Sequence, residues 1–184
     1  MASVTGAIVF TDLVGFTEFT ATSGDEEAVR LLGLQDSIVT GLLPHDARIV
    51  KELGDGLMIY FPAACLAVTT MLDVLDAFAS AADRDEMPLW VRVGGHWGCP
   101  TVRGADLVGH DANVAARVAD VAAPGELLVS EALVEADVHG GVAFDELGPV
   151  MMKGLPEAVQ LFRAERDPLA PAQSGAAGLV TCGE

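Results

Sequence analysis

The sequence predicts an α+β domain built on a ferredoxin-like βαββαβ core, with extra strands toward its C-terminal end. Three observations carry that expectation. "VTGAIVFTDL" (residues 4–13) is a β-branched, apolar run that reads as a buried strand ending near Asp12. Residues 47–53 and 56–61 are strand-like runs on either side of Gly54-Asp55-Gly56, a strong hairpin signal. Helical segments stand before and after that hairpin, giving two βαβ-like units with their helices expected on one face of the sheet.

The remaining elements follow in order. "GFTEFTAT" reads as a short helix, broken at Ser23-Gly24-Asp25. "DEEAVRLLGLQDSIVTGLL" has helical periodicity and an acidic first turn, which the positive end of a helix dipole favours. Pro62 suits the first position of a long helix. "PLWVRVGGHWG" and "CPTVRG" read as a second strand pair. "GHDANVAARVADVA" reads as a helix stopped by Pro124-Gly125. "ELLVS" is a strand, "EALVEA" a short helix, and "VAFDELGPVMMKG" with "AVQLFRA" the closing strands.

The chain of 184 residues suits one domain over residues 1–166, followed by a loose Ala-, Gly- and Pro-rich tail over 167–184. Half of its residues are apolar, enough to build a core. A formal charge of −17 opposes a broad nucleic-acid or anionic-lipid surface. It leaves room for a phosphate-bearing small molecule met by a few local cations, or by metal ions on carboxylates. Cys65, Cys99 and Cys182 are odd in number and lack CxxC spacing, as expected of reduced thiols in the cytoplasm. The opening residues lack the basic start of a secretory signal. The longest apolar stretch is interrupted by Asp73 and Asp76, so it reads as an amphipathic core helix and no membrane span is expected within this chain.

Four groups of residues have the chemistry to act. Asp12 closes a strand and is followed by a turn through Gly15 into a helix. It either caps that helix or holds Mg²⁺ while the backbone N–H groups beyond it grip phosphate. Asp55 either serves the hairpin turn itself or supplies a second carboxylate, because the end of the first strand and the hairpin tip are neighbours in such a sheet. Asn113 and Arg117, four apart on one helical face, are either an ordinary surface pair or an amide and a guanidinium suited to a ribose and a phosphate. Asp106 stands just before that helix.

"FTDLVGFT", "KELGDGLMIYF", "RVGGHWG", "DLVGHDANVAARV" and "MMKGLPEAVQLFR" occur in the order and approximate spacing of class III nucleotide cyclase catalytic domains, and the chain resembles that family from residue 4 to about 165. The resemblance implies the ferredoxin-like core and a head-to-tail homodimer with two shared active sites. It implies that Asp12 and Asp55 hold two Mg²⁺ or Mn²⁺ ions in each site. Leu13, Val14, Gly15, Phe16 and Thr17, with Lys153, would contact the triphosphate; Asn113 would orient the ribose and Arg117 stabilise the transition state. Lys51 and Asp106 match the family's base-selecting pair. A lysine donor and a carboxylate acceptor fit the N1 acceptor and N6 amino group of adenine and mismatch guanine, so ATP is the expected substrate. The alternatives are a catalytically silent relative, which the six matching residue types oppose, and a guanylyl cyclase, which Lys51 and Asp106 oppose.

The pattern departs from the family in places. Cys99 stands where some relatives carry a phosphate-binding arginine, and is expected to be a buried, inert thiol, the alternative being one that makes activity sensitive to oxidation. "CPTVRGAD" leaves little of the dimerisation arm that some members have. His45, His96, His110 and His139 lack metal-ligand spacing and receive no role.

Overall fold

The computed structural model describes residues 2–136 and 141–168; His139, Cys182 and all but the start of the expected tail lie outside the described residues. The order is β1 (Gly6–Leu13), α1 (Phe16–Ser23), α2 (Asp25–Leu42), β2 (Arg48–Leu53), β3 (Gly56–Phe61), α3 (Ala64–Asp83) and β4 (Val91–Gly98). Then come β5 (Thr101–Arg103), β6 (Asp106–Val108), α4 (His110–Val121), β7 (Leu127–Ser130), α5 (Glu131–Ala136), β8 (Val142–Val150) and β9 (Val159–Arg166).

Seven strands form one sheet in the order β2-β3-β1-β4-β7-β9-β8. Its first four strands are the ferredoxin-like half, each antiparallel to its neighbour. β7 then joins β4 in parallel, a pairing that requires a crossover, and α4 supplies it. The expected pairing of β4 with β5 fails here. β4 already has β1 on one edge and β7 on the other, so β5 has no edge to pair with. Pro100 also cannot donate to a ladder, and β5 forms a separate two-stranded sheet with β6.

The helices lie on both faces rather than one. In β1 the side chains of Ala7, Val9 and Leu13 join the large core under α2 and α3, while those of Ile8 and Phe10 join Leu107, Ala112 and Ala115 on the α4 side. Burial on both faces is why this strand reads as a continuous apolar run. Two successive glycines mark the change of side: a Cβ on Gly94 would collide with the backbone of Ala119 in α4, and one on Gly95 would meet Leu133 of α5 at 2.9 Å. α3 is long and apolar enough to cross a membrane, but it buries Val68, Met71, Val74 and Phe78 in the core. Its cap is Ala63, whose carbonyl accepts from Ala67 N–H, so Pro62 precedes the helix instead of opening it.

Candidate active site

Asp12 and Asp55 come to the same end of the β1–β3 ladder, beside its last pair, Thr11 opposite Leu57. The β2–β3 hairpin closes at Leu53 and Gly56 through Gly54 at φ 71°, a conformation natural to glycine. Asp55, at the tip, has its pKa raised, first by loss of hydration and further by the charge of Asp12; its own backbone N–H and the charge of Arg92 act the other way. The two acids are thus close enough for one charge to disfavour the other. Arg92 is the cross-strand partner of Asp12, its Nε 2.8 Å from Asp12 Oδ2, and it also donates to the carbonyl of Asp120 at 2.9 Å. The sequence reading missed it. The available signal was one cation and one acid in two otherwise apolar strands.

This donor set fits a hard divalent cation. Two carboxylates whose charges oppose each other gain from a shared positive ion, and Mg²⁺ is commonly held by one or two carboxylates with water and substrate phosphate completing the shell. Among the described residues no group of three or more His, Cys, Asp or Glu side chains gathers to hold a metal alone.

Beyond Asp12 the chain enters α1 through Gly15, which offers no side-chain cap. Of the expected phosphate-binding residues, Leu13 is buried and Val14 N–H is already committed to the carbonyl of Trp90 at 2.8 Å. The donors left at the helix start are those of Gly15, Phe16 and Thr17.

The second cluster lies on the α4 side of the sheet. Lys51 reaches it because β2 bulges between Ile49 and Lys51: Ile49 faces Ile59 in the large core, whereas Lys51 faces Met58 on the other side. Its Nζ lies 2.9 Å from Asp106 Oδ2 and 2.8 Å from Oδ1. Asp106, on β6, also accepts from Leu107 N–H at 2.8 Å; these contacts, the Lys51 bond foremost, hold its pKa below the ordinary carboxylate range. Lys51 and Asn113 line one cavity of about 240 Å³ with Phe10, Met58, Leu107 and Ala112 as apolar walls. Pockets for whole drug-sized ligands run to roughly 300–1,000 Å³, so this one has the size of a base rather than a nucleotide.

Arg117 and Lys153 stand apart from that cavity. Arg117 is paired with Asp120 one turn along α4. Lys153 is exposed, on a turn whose neighbours Met152 and Leu155 pack against Val114 and Val118 of α4. Cys99 is exposed, against expectation: its N–H donates to Asp111 Oδ2 at 2.6 Å and its sulfur accepts from Thr5 Oγ1 at 3.7 Å. His96 is inside, its Nδ1 2.7 Å from Ser130 Oγ, and burial lowers its pKa against the pull of Asp111.

A family model for the adenylate and guanylate cyclase catalytic domain matches residues 3–164. The chain belongs to that family, the class III nucleotide cyclases. It is 31% identical over 174 residues to a pH-sensitive adenylate cyclase of Mycobacterium tuberculosis, covering 92% of this chain and 43% of that protein. An adenylate cyclase of Streptomyces griseus is 32% identical over 135 residues, 73% of this chain and 33% of the relative. The chain therefore spans well under half the length of these relatives. Among solved structures it is similar to the adenylyl cyclase CyaB from P. aeruginosa, with TM-score 0.79 and 20% identity over 91% of this chain and 97% of that one. It is equally similar to the guanylyl cyclase Cya2, with TM-score 0.78 and 21% identity over 89% and 92%. The shared fold accommodates both purines, so base choice must be argued from side chains.

Proposed function

We propose that this nucleotide cyclase converts ATP to 3′,5′-cyclic AMP and pyrophosphate at sites shared between two copies of the chain. The observation that carries the choice of ATP is the hydrogen-bonding capacity left on Lys51 and Asp106. An ammonium has three donors, and two are directed at the oxygens of Asp106, which leaves one. Asp106 Oδ1 serves both Lys51 and Leu107 N–H, which leaves an acceptor site on Oδ2. One free donor beside one free acceptor complements the N1 and N6 positions of adenine. Guanine would confront donor with donor and acceptor with acceptor.

Asp12 and Asp55 would hold two Mg²⁺ or Mn²⁺ ions, whose positive charge makes the ribose 3′-hydroxyl a better nucleophile and offsets charge on the triphosphate. The N–H groups of Gly15, Phe16 and Thr17 and the ammonium of Lys153 would meet phosphate oxygens. Asn113, beside the base cavity, would fix the ribose so that its 3′-oxygen bonds to the α-phosphorus as the bond to the departing pyrophosphate oxygen breaks. Arg117 would leave Asp120 for the developing negative charge. A surface pair of this spacing is worth only about 0.2–0.5 kcal/mol, so the exchange is easy. The carboxylates lie by the C-terminal end of α4, near Asp120, and Asn113 in its first turns. That separation supports a head-to-tail homodimer in which each site takes metal ligands from one protomer and the purine and ribose contacts from its partner.

The test is product formation from ATP and from GTP with Mn²⁺ or Mg²⁺, by wild type and Asp55→Ala. Cyclic AMP from wild type alone is expected. Cyclic GMP as the main product would overturn the base assignment. ATP binding with no product would identify a silent relative.

A further inference from the structure

The described residues bury only four polar side chains, Thr11, Gln35, Thr70 and Ser130, and two of them grip the turn that carries Asp55. Gln35 is 2% exposed and lies in the apolar stripe of α2, four residues from Leu31 and from Val39. Its Nε2 donates to the carbonyl of Asp55 at 3.3 Å, and its Oε1 has no hydrogen-bond partner. On β1, Thr11 Oγ1 accepts from the N–H of Leu57, two residues beyond Asp55, at 3.2 Å. Between them Gly56 presses on the Thr11 carbonyl so closely that a Cβ there would come within 2.5 Å of it.

An orphaned buried acceptor is unfavourable, and a methionine of similar volume would fill the same space without it. Gln35 is therefore a poor choice for the core as packing. What it does supply is a donor fixed to the backbone of Asp55, while Thr11 is the residue next to Asp12. We propose that Gln35 and Thr11 are positioning residues that lock the Asp55 turn against β1, holding the two acids at the separation that a divalent cation needs. This rests on the assignment of Asp12 and Asp55 as metal holders. Supporting residues of this kind change metal affinity by roughly 10–100-fold when lost.

The experiment titrates Mn²⁺ against the full chain and follows the free-ion EPR signal, with thermal midpoints measured in parallel. Gln35→Met and Thr11→Val should each weaken Mn²⁺ binding about tenfold or more. The midpoint of Gln35→Met should stay at or above that of wild type, because the orphaned oxygen is gone. Thr11→Ser, which keeps the hydroxyl, should bind as wild type does. Unchanged affinity in Gln35→Met and Thr11→Val, beside lost affinity in Asp55→Ala, would overturn the proposal and leave the metal assignment standing. A loss matched by a falling folded fraction would overturn it too, as would a Thr11→Ser protein as weak as Thr11→Val. Wild-type affinity in Asp55→Ala would remove the assignment beneath it.

Discussion

Exchanging the charges of the proposed base-reading pair, Lys51→Glu together with Asp106→Lys, should turn the purine preference toward guanine. The exchange keeps an ion pair across the same 2.8–2.9 Å gap, so the β2–β6 contact survives and the cavity walls are untouched. What changes is the capacity left over: an acceptor now stands where N1 presented an acceptor, and a donor where the amino group presented a donor. Leaving a buried polar group unpaired costs about 1–3 kcal/mol. The side chains are 36% and 35% exposed, so water softens each mismatch and the lower end of that range applies. Two mismatches at about 1 kcal/mol each are added for adenine and two are removed for guanine, so the ATP-to-GTP ratio of kcat/KM should fall by about 4 kcal/mol, roughly a thousandfold. Initial rates of both cyclic nucleotides over a range of substrate concentrations measure it. Lys51→Glu alone should impair both substrates, since it sets two carboxylates face to face. A folded double variant that keeps the wild-type ratio would refute the pairing argument.

Other outcomes follow from the same geometry. Asp12→Ala and Asn113→Ala should each be inactive, and mixing the two proteins should restore cyclic AMP formation, because the heterodimer keeps one complete site; heterodimers that form without recovery would rule out the shared arrangement. Asp55→Asn should raise the thermal midpoint of the metal-free protein while abolishing turnover. The raised pKa of Asp55 means the folded state loses stability as pH rises from the ordinary carboxylate range through the raised value, so the gain should be largest at neutral pH and vanish in acid. Asp106, with its lowered pKa, contributes stability above the ordinary carboxylate range that is lost as pH falls through its folded value, so Asp106→Asn should be least stable relative to wild type near neutrality. Gly94→Ala should lower the midpoint by about 2–12 °C, as overpacking of about 1–3 kcal/mol moves a domain of this size roughly 2–4 °C per kcal/mol.

The strands and helices of the ferredoxin-like half were readable because each has one dominant local signal: the β-branched run of β1, the glycine-flanked hairpin, the periodicity of α2 and α3. Their layering was not. Whether helices cover one face or two depends on contacts such as Gly94 on Ala119, which no local pattern records. The partner of β5 was misjudged for a related reason, since proximity in sequence favours β4 while β1 and β7 already occupy its edges. At the site, Lys51 and Asp106 were read as a pair, and they meet across a sequence separation of 55. The bulge that turns Lys51 to the correct face was hidden, because alternation alone would place it opposite Leu57 and toward the large core. Arg92 and Gln35 escaped notice for opposite reasons: one is an unremarked cation at a strand start, the other a polar residue inside an apolar stripe.

That last contrast points to a physical regularity. Three features of this chain are locally unfavourable: a carboxylate with a raised pKa at the hairpin tip, a buried amide oxygen without a partner, and a strand whose register slips by one residue. All three fall on the β2–β3 hairpin or the helix that touches its turn. Folding alone would select an asparagine at 55, an apolar residue at 35 and a regular β2, because each change removes an unpaired or crowded group. Sequences that fold cooperatively agree with local rules almost everywhere, and violations concentrate where another demand acts. Under the proposed function that demand is one hairpin serving two tasks, with Asp55 meeting a cation at its tip and Lys51 a purine on its α4 side. The bulge between Ile49 and Lys51 is what lets the hairpin do both, since a regular strand would aim Lys51 into the large core and leave the cavity without its cation.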